Sequence, residues 1–366
     1  MGRKQQLEQE FQKVATRISR FGSTPPYLND LGGVLYELGR LAEAEKVFEA
    51  AFKLDPTFEP AKNNLAIIRQ EVAHLMPAQS VRDLVERLAP IKTARELIRV
   101  GPRNDGGYLV PDDLEGIQYC FSPGVGPSSS FEKALEAYGI HSFLADASVE
   151  GPATELKNFT FDKLFLGTDG EPDQISLASW VARYVPDAST DLLLQMDIEG
   201  AEYPVLRDAP PELLRRFRIM IVEFHGVASI RDARRHPEVG GTINKLLEDF
   251  HVVHIHPNNC CGSLIYADVE IPRVMEVTFL RKDRDPGAAY VNALPHPLDA
   301  DCVPGNPTLP LDPAFLRVGD RQRRSSPSRE GIGGCARTRT VDPLIKSQLL
   351  YHLSYAPGPG GEIQRV

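Results

Sequence analysis

The sequence predicts an α/β protein: a doubly wound, mostly parallel sheet preceded by a small all-α segment. Three observations carry this expectation. Apolar strand-like runs alternate with helical periods from Tyr119 to Arg281. The first of these units, Tyr119 to Asp146, reads as strand, glycine turn, helix, strand, acid. Residues 1–77 instead carry helical spacing, with small residues where two helices would meet.

Bulk properties bound the function. At 366 residues the chain has room for two domains. A net charge of −9 argues against a general nucleic-acid binder. No apolar run reaches the roughly 18 residues of a membrane span. The opening MGRKQQLEQEF lacks the apolar stretch of a signal peptide. Cys120, Cys260, Cys261, Cys302 and Cys335 are few, odd in number and not arranged as CxxC pairs. That usage fits a reduced, cytoplasmic setting. The adjacent Cys260 and Cys261 read as an incidental strand-end pair.

In residues 1–77, a helix over residues 7–21 precedes two more that break near Gly39. Leu28, Leu31 and Leu35 line the first of these two, and Ala44, Phe48 and Ala51 the second, which Pro56 stops. Gly32, Ala44 and Ala51 leave room for close packing. With Leu31-Gly32, Gly39, Ala44, Phe48, Ala51 and Pro56 in register, the segment resembles a tetratricopeptide repeat. Asn63 and Leu65 echo Asn29 and Leu31 at its period of about 34 residues. Such a module points to a protein partner or to self-association through residues 1–77, and a helical cap on the next domain is the alternative.

A helix after Ser80 leads to short strands at Leu97–Val100 and Tyr108–Val110, around the polar turn Arg103 to Gly107. Next comes the unit Tyr119–Asp146. Gly124 and Gly126 let backbone approach a ligand closely, and Ser128, Ser129 and Ser130 are candidate N-caps with Glu132 as capping-box partner. Asp146, at the end of the second strand, can accept hydrogen bonds from ribose hydroxyls. The pattern is GxG without a third glycine, so a single nucleoside fits better than a dinucleotide.

Further elements follow: a strand from Phe159, a helix Leu177–Tyr184 with the lone Trp180, and a buried strand Asp191–Gly200. Another strand covers Ile219–His225, a helix Thr242–Phe250 and a strand Val252–Asn258. Ser263–Ala267 and Val274–Arg281 read as a closing hairpin. Ligands in such sheets sit beyond the carboxyl ends of the strands. Those ends carry Asp197 and Glu199, then Glu223 and His225, then His256 and Asn258. Unpaired charge after a run like LLLQM is costly without work to do. Asp197, Glu199 and His225 are therefore the catalytic candidates, with His256 assisting from the neighbouring strand. The same donors suit Mg²⁺ or Mn²⁺, so a divalent metal stands as an option without further support.

LLLQMDIEGAEYPVL, after the GVGPSSSFE turn, resembles an FkbM-type methyltransferase, as do NDGGYLVPDDL, VEFH and HPNNCCG. The resemblance covers about residues 97–283. It implies a Rossmann-like class I methyltransferase sheet and S-adenosylmethionine as cofactor. It implies O-methylation, with a hydroxyl-bearing small molecule or glycan as acceptor. It assigns Gly124, Gly126 and Asp146 to the cofactor and moves the turn Asn104 to Tyr108 toward the ligand, so Ser129, Asn104 and Asp105 join the candidate cofactor-binding residues. The adenine contact would fall at Thr168–Ile175. A repeat-bearing binding protein with an inactive methyltransferase-like domain is the alternative. The resulting organisation is a helical segment at 1–77, a methyltransferase domain at 78–316 with a Pro-rich wrap, and a tail at 317–366 expected to be disordered.

Overall fold

The computed structural model describes residues 3–317 except 127, 286 and 288. The tail expected over 317–366 therefore lies, beyond Arg317, outside the described residues. Two compact units form, one through Leu75 and one from Met76.

The first unit is all helix: α1 Arg3–Phe21, α2 Pro25–Glu37, α3 Leu41–Leu54 and α4 Glu59–Val72. Thr24 caps α2, its hydroxyl accepting from the Tyr27 amide, and Pro25 supplies a preset first turn. Gly39 turns the chain between α2 and α3 with a left-handed φ of 72°. A Cβ at Gly32 would stand 2.4 Å from the Phe48 ring, so α3 packs on α2 only because that side chain is missing. Asn64 Nδ2 donates to Asn29 Oδ1 at 3.0 Å, tying α4 to α2.

The second unit opens with α5 Ala78–Arg87 and the antiparallel pair β1 Leu97–Val100 and β2 Tyr108–Pro111. Then follow β3 Tyr119–Pro123, α6 Ser130–Leu135, β4 His141–Ala145, β5 Phe159–Asp162, β6 Phe165–Leu166, β7 Gln174–Ile175 and α7 Leu177–Tyr184. The second half runs β8 Leu192–Met196, α8 Glu202–Asp208, α9 Pro211–Leu214, β9 Phe217–His225, α10 His236–Asp249 and β10 Phe250–Pro257. It ends with β11 Ser263–Tyr266, β12 Val269–Pro272 and β13 Val274–Arg281.

Seven strands form the main sheet in the order β10-β13-β9-β8-β3-β4-β5. The neighbours from β9 to β5 pair in parallel, while β13 runs antiparallel to both β9 and β10. The chain starts at β3, winds outward to β5, then returns to β8 and winds the other way. Strand order thus reverses between β3 and β8, which is where a doubly wound sheet opens a crevice at its carboxyl edge.

One face of the sheet packs Cys120, Leu193, Ile219 and Ile221 against Tyr108 and Val110 of β2 and Phe131 and Leu135 of α6. The other face packs aromatics: Phe121 meets the Trp180 ring edge-on, Phe143 stacks on Tyr184, and Phe224 stacks on Tyr203 of α8. Each such side chain contributes about 1.5–3 kcal/mol on full burial. The sheet is therefore held from both sides, and its carboxyl edge carries the polar strand ends.

The closing hairpin differs from the sequence expectation. Ser263–Tyr266 pairs with Val269–Pro272, across a two-residue turn in which Ala267 and Asp268 both take positive φ. Val274–Arg281 is thereby released to enter the main sheet between β9 and β10. The neighbouring Cys260 and Cys261, read as an incidental pair, close a vicinal disulfide. No helix among the described residues is long and apolar enough to cross a membrane.

Candidate functional site

The turn after β3 is fixed by close approach. Gly124 sits at φ 90°, and a Cβ there would lie 1.6 Å from the carbonyl oxygen of Asp197. Only glycine allows β3 and β8 to end so near each other. The Gly124 amide donates to the Ala145 carbonyl at 3.0 Å. The Val125 amide donates to Asp146 Oδ2 at 3.0 Å, so the acid at the end of β4 also shapes the turn. Asp146 Oδ1 takes the amide and hydroxyl of Ser148, each at 2.7 Å. At Gly126, by contrast, an added Cβ would meet nothing within 4 Å. Gly124 is thus required by the fold, while Gly126 leaves open space beside it.

A cavity of about 140 Å³ lies next to Gly126, lined also by Asp105, Tyr108, Glu132, Gln195, Asp197 and Glu199. Its floor is polar and buried. Tyr108 receives a hydrogen bond from Gln195 Nε2 at 3.2 Å, and the Ser122 hydroxyl bridges Glu132 and Gln195. Glu132, expected as a capping-box acid, is buried and bonded to Ser122, and Ser129 caps α6 by position with no side-chain bond. The Ser129 amide is already donated to Thr154 Oγ1 at 2.9 Å. Asn104 is exposed, and its carbonyl is held by Arg99 at 3.1 Å.

Three of the catalytic candidates come together at the ends of β8 and β9. His225 Nε2 lies 3.5 Å from Glu199 Oε2 and 3.9 Å from Asp197 Oδ1. Its Nδ1 is 3.0 Å from Glu202 Oε1. Glu202 opens α8 fully buried, and the same oxygen accepts the amides of Ile198 at 3.2 Å and Gly200 at 3.0 Å. It therefore fixes both the strand-end loop and the imidazole. Glu199 takes a left-handed φ of 55° on that loop, with an exposed side chain. Asp197 Oδ1 is buried and has no hydrogen-bond partner among the described residues.

Charge crowding shifts these groups. Burial pushes the Asp197 carboxyl up to about 7; His225 opposes the rise, and Glu199, Glu202 and Asp105 add to it. Burial alone would lower His225, but the hydrogen bond and charge of Glu202, with Asp197 and Glu223, outweigh it and bring it to about 9. Burial raises Glu223 to about 9, helped by Asp197 and Glu276 against the Asn258 amide 2.8 Å away. The corner holds more negative charge than its single imidazole can balance.

His256 is not part of this group. It sits on β10, with β13 between it and β9, opposite Glu276 and 3.8 Å from Asp299. Sequence reasoning gave Glu202, Gln195 and Glu132 no role in the site. For Glu202 the signal was present: an acid in the first turn of a helix, directly after a strand-end loop, is set to accept that loop's amides. Gln195 and Glu132 look like ordinary strand and capping residues until the fold buries them on one face.

A glycine turn, a strand-end acid and a polar cavity thus meet at the switch point of the sheet, where ligands bind in doubly wound folds. Residues 119–250 match the family model described as methyltransferase FkbM domain, and residues 25–58 match a tetratricopeptide repeat. The chain therefore carries an FkbM methyltransferase domain behind a tetratricopeptide repeat, and the fold is that of an α/β methyltransferase. No curated protein matches the sequence.

Proposed function

We propose that the protein is an S-adenosylmethionine-dependent methyltransferase acting on a hydroxyl oxygen of a small molecule or glycan, in the cytoplasm. The carrying observation is the single cavity in which Gly126 of the glycine turn faces Asp197 and Glu199. When bound, S-adenosylmethionine supplies an electrophilic methyl group on a sulfonium. The residues present suit it. Gly126 leaves the space a side chain would fill, and Asp146, half-buried, keeps lone pairs free on Oδ2, which has one partner. The cavity is smaller than the roughly 300 Å³ of a whole ligand site. It would thus hold the reacting end, with Asp146 and the turn outside it taking the nucleoside.

A hydroxyl acceptor needs alignment, and its proton must leave during attack. Asp197, whose carboxyl is brought to about 7, would take the proton, and His225, positioned by Glu202, would bind and orient the hydroxyl. Asp105 reaches the cavity from the turn between β1 and β2 and would border the acceptor. Residues 78–316 would form the catalytic domain, and residues 1–77 would serve a protein partner or self-association.

The test is a methyl-transfer screen over hydroxyl-bearing sugars and metabolites, followed by His225→Ala and Asp197→Ala. Each variant should lower turnover by about 10²-fold or more while cofactor affinity, read by calorimetry, stays nearly intact. Native turnover in both would move the base elsewhere. Loss of cofactor binding in both would assign these residues to the cofactor instead.

A further inference from the structure

We propose that Asp197, Glu199 and His225 form a site for a hard divalent cation, Mg²⁺ or Mn²⁺, at the acceptor end of the cavity. The donor atoms of the three lie within 4.8 Å of one another. The separations of 3.5 Å and 3.9 Å from Nε2 to the two carboxylates are too long for hydrogen bonds. They do suit an intervening ion. With metal–donor distances of about 2.1 Å, neighbouring donors stand roughly 3–4 Å apart.

Two independent observations point the same way. Asp197 Oδ1 is buried with no hydrogen-bond partner among the described residues, although it faces this point. A buried carboxylate oxygen left without a donor is costly, and a cation would supply what is missing. His225 is also prepared as a ligand. Its Nδ1 is held at 3.0 Å by Glu202, a fully buried carboxylate, which leaves Nε2 turned toward the acids. A carboxylate behind an imidazole in this way fixes the tautomer and raises ligand basicity at metal sites. Two carboxylates with one imidazole favour a hard cation that keeps water ligands, and Glu199, on the exposed side, leaves the open positions for water and an acceptor oxygen.

The inference rests on the methyltransferase reading and alters one part of it. With Asp197 and Nε2 committed to the ion, the acceptor hydroxyl would be acidified as a metal ligand, and its proton would leave to solvent on the exposed Glu199 side. The test uses the full-length chain, stripped with EDTA and titrated with Mn²⁺ while the free-ion electron paramagnetic resonance signal is followed. One ion should be taken up per chain. Glu199→Gln and Asp197→Asn should each weaken uptake about tenfold or more, and Glu202→Gln by about 10–100-fold through the imidazole. Glu199 is exposed, so its variant should fold, and a melting curve checks each protein. No uptake, or uptake unchanged in Glu199→Gln and Asp197→Asn, would overturn the site. Calorimetry with S-adenosylmethionine in EDTA separates the two readings. Cofactor binding without Mn²⁺ uptake removes only the cation site. Mn²⁺ uptake without cofactor binding keeps the site and removes the methyltransferase reading.

Discussion

At the residue scale, the two glycines of the turn after β3 do different jobs. Gly124 is pressed against the Asp197 carbonyl at a left-handed φ, whereas Gly126 has open space around it. Substituting them should therefore separate fold from ligand. Gly124→Ala should lower the melting temperature, because the new methyl cannot coexist with β8 in its place. Gly126→Val should melt like the parent and lose S-adenosylmethionine affinity. The check is a melting curve and a calorimetric titration on each variant. A Gly126→Val protein that binds normally would show that the ligand does not use this space. The sequence marks both positions alike as GxG; only the neighbouring strand end tells them apart.

At the element scale, the far ends of the central strands are pinned by charge. Asp191 enters β8 between Arg218 of β9, 2.9 Å away, and Arg281 of β13, 2.7 Å away. Burial would raise its pKa, but the two guanidiniums outweigh that and hold it below the usual carboxylate value. A folded pKa below the unfolded one means the stabilisation is complete above the unfolded value of about 3.9. It is lost as pH falls through that value toward the folded one. Thermal melts between pH 6 and pH 3 should therefore show a larger loss in the parent than in Asp191→Asn, which has no carboxylate to titrate. Equal losses would mean that Asp191 contributes nothing to acid stability. The triplet joins β8, β9 and β13, the three strands whose opposite ends carry the candidate site or its flank.

At the scale of the whole molecule, the helical unit and the sheet unit should be separable in function. Met76 belongs with the sheet: its amide donates to the Arg231 carbonyl at 2.7 Å, and its carbonyl accepts from the Tyr266 hydroxyl. A deletion meant to test modularity should therefore end at Leu75. Such a chain should bind S-adenosylmethionine as the parent does, and should change in oligomeric state or partner capture. Calorimetry and light scattering check this. A collapse of cofactor affinity would make the helices part of the catalytic domain.

The sequence by itself determined most of the elements and which polar groups end the central strands. Helix Leu177–Tyr184 and the strands around Leu97–Val100 and Tyr108–Pro111 follow from local periodicity, which the chain carries without its partners. Asp197, Glu199 and His225 were legible because a charged group ending a buried run has few structural excuses. The tertiary structure decided what depends on distance. It moved Val274–Arg281 from a hairpin into the main sheet, because a tighter turn at Ala267–Asp268 satisfied the neighbouring strands first. It left His256 on β10, with β13 between it and β9, because alternation along a strand sets a residue's face but not its neighbours across the sheet. It made Glu202 the holder of His225, and it set an unpartnered Asp197 oxygen facing that imidazole. Those two contacts join strand ends distant in sequence, and no local pattern encodes a distance between separate strands.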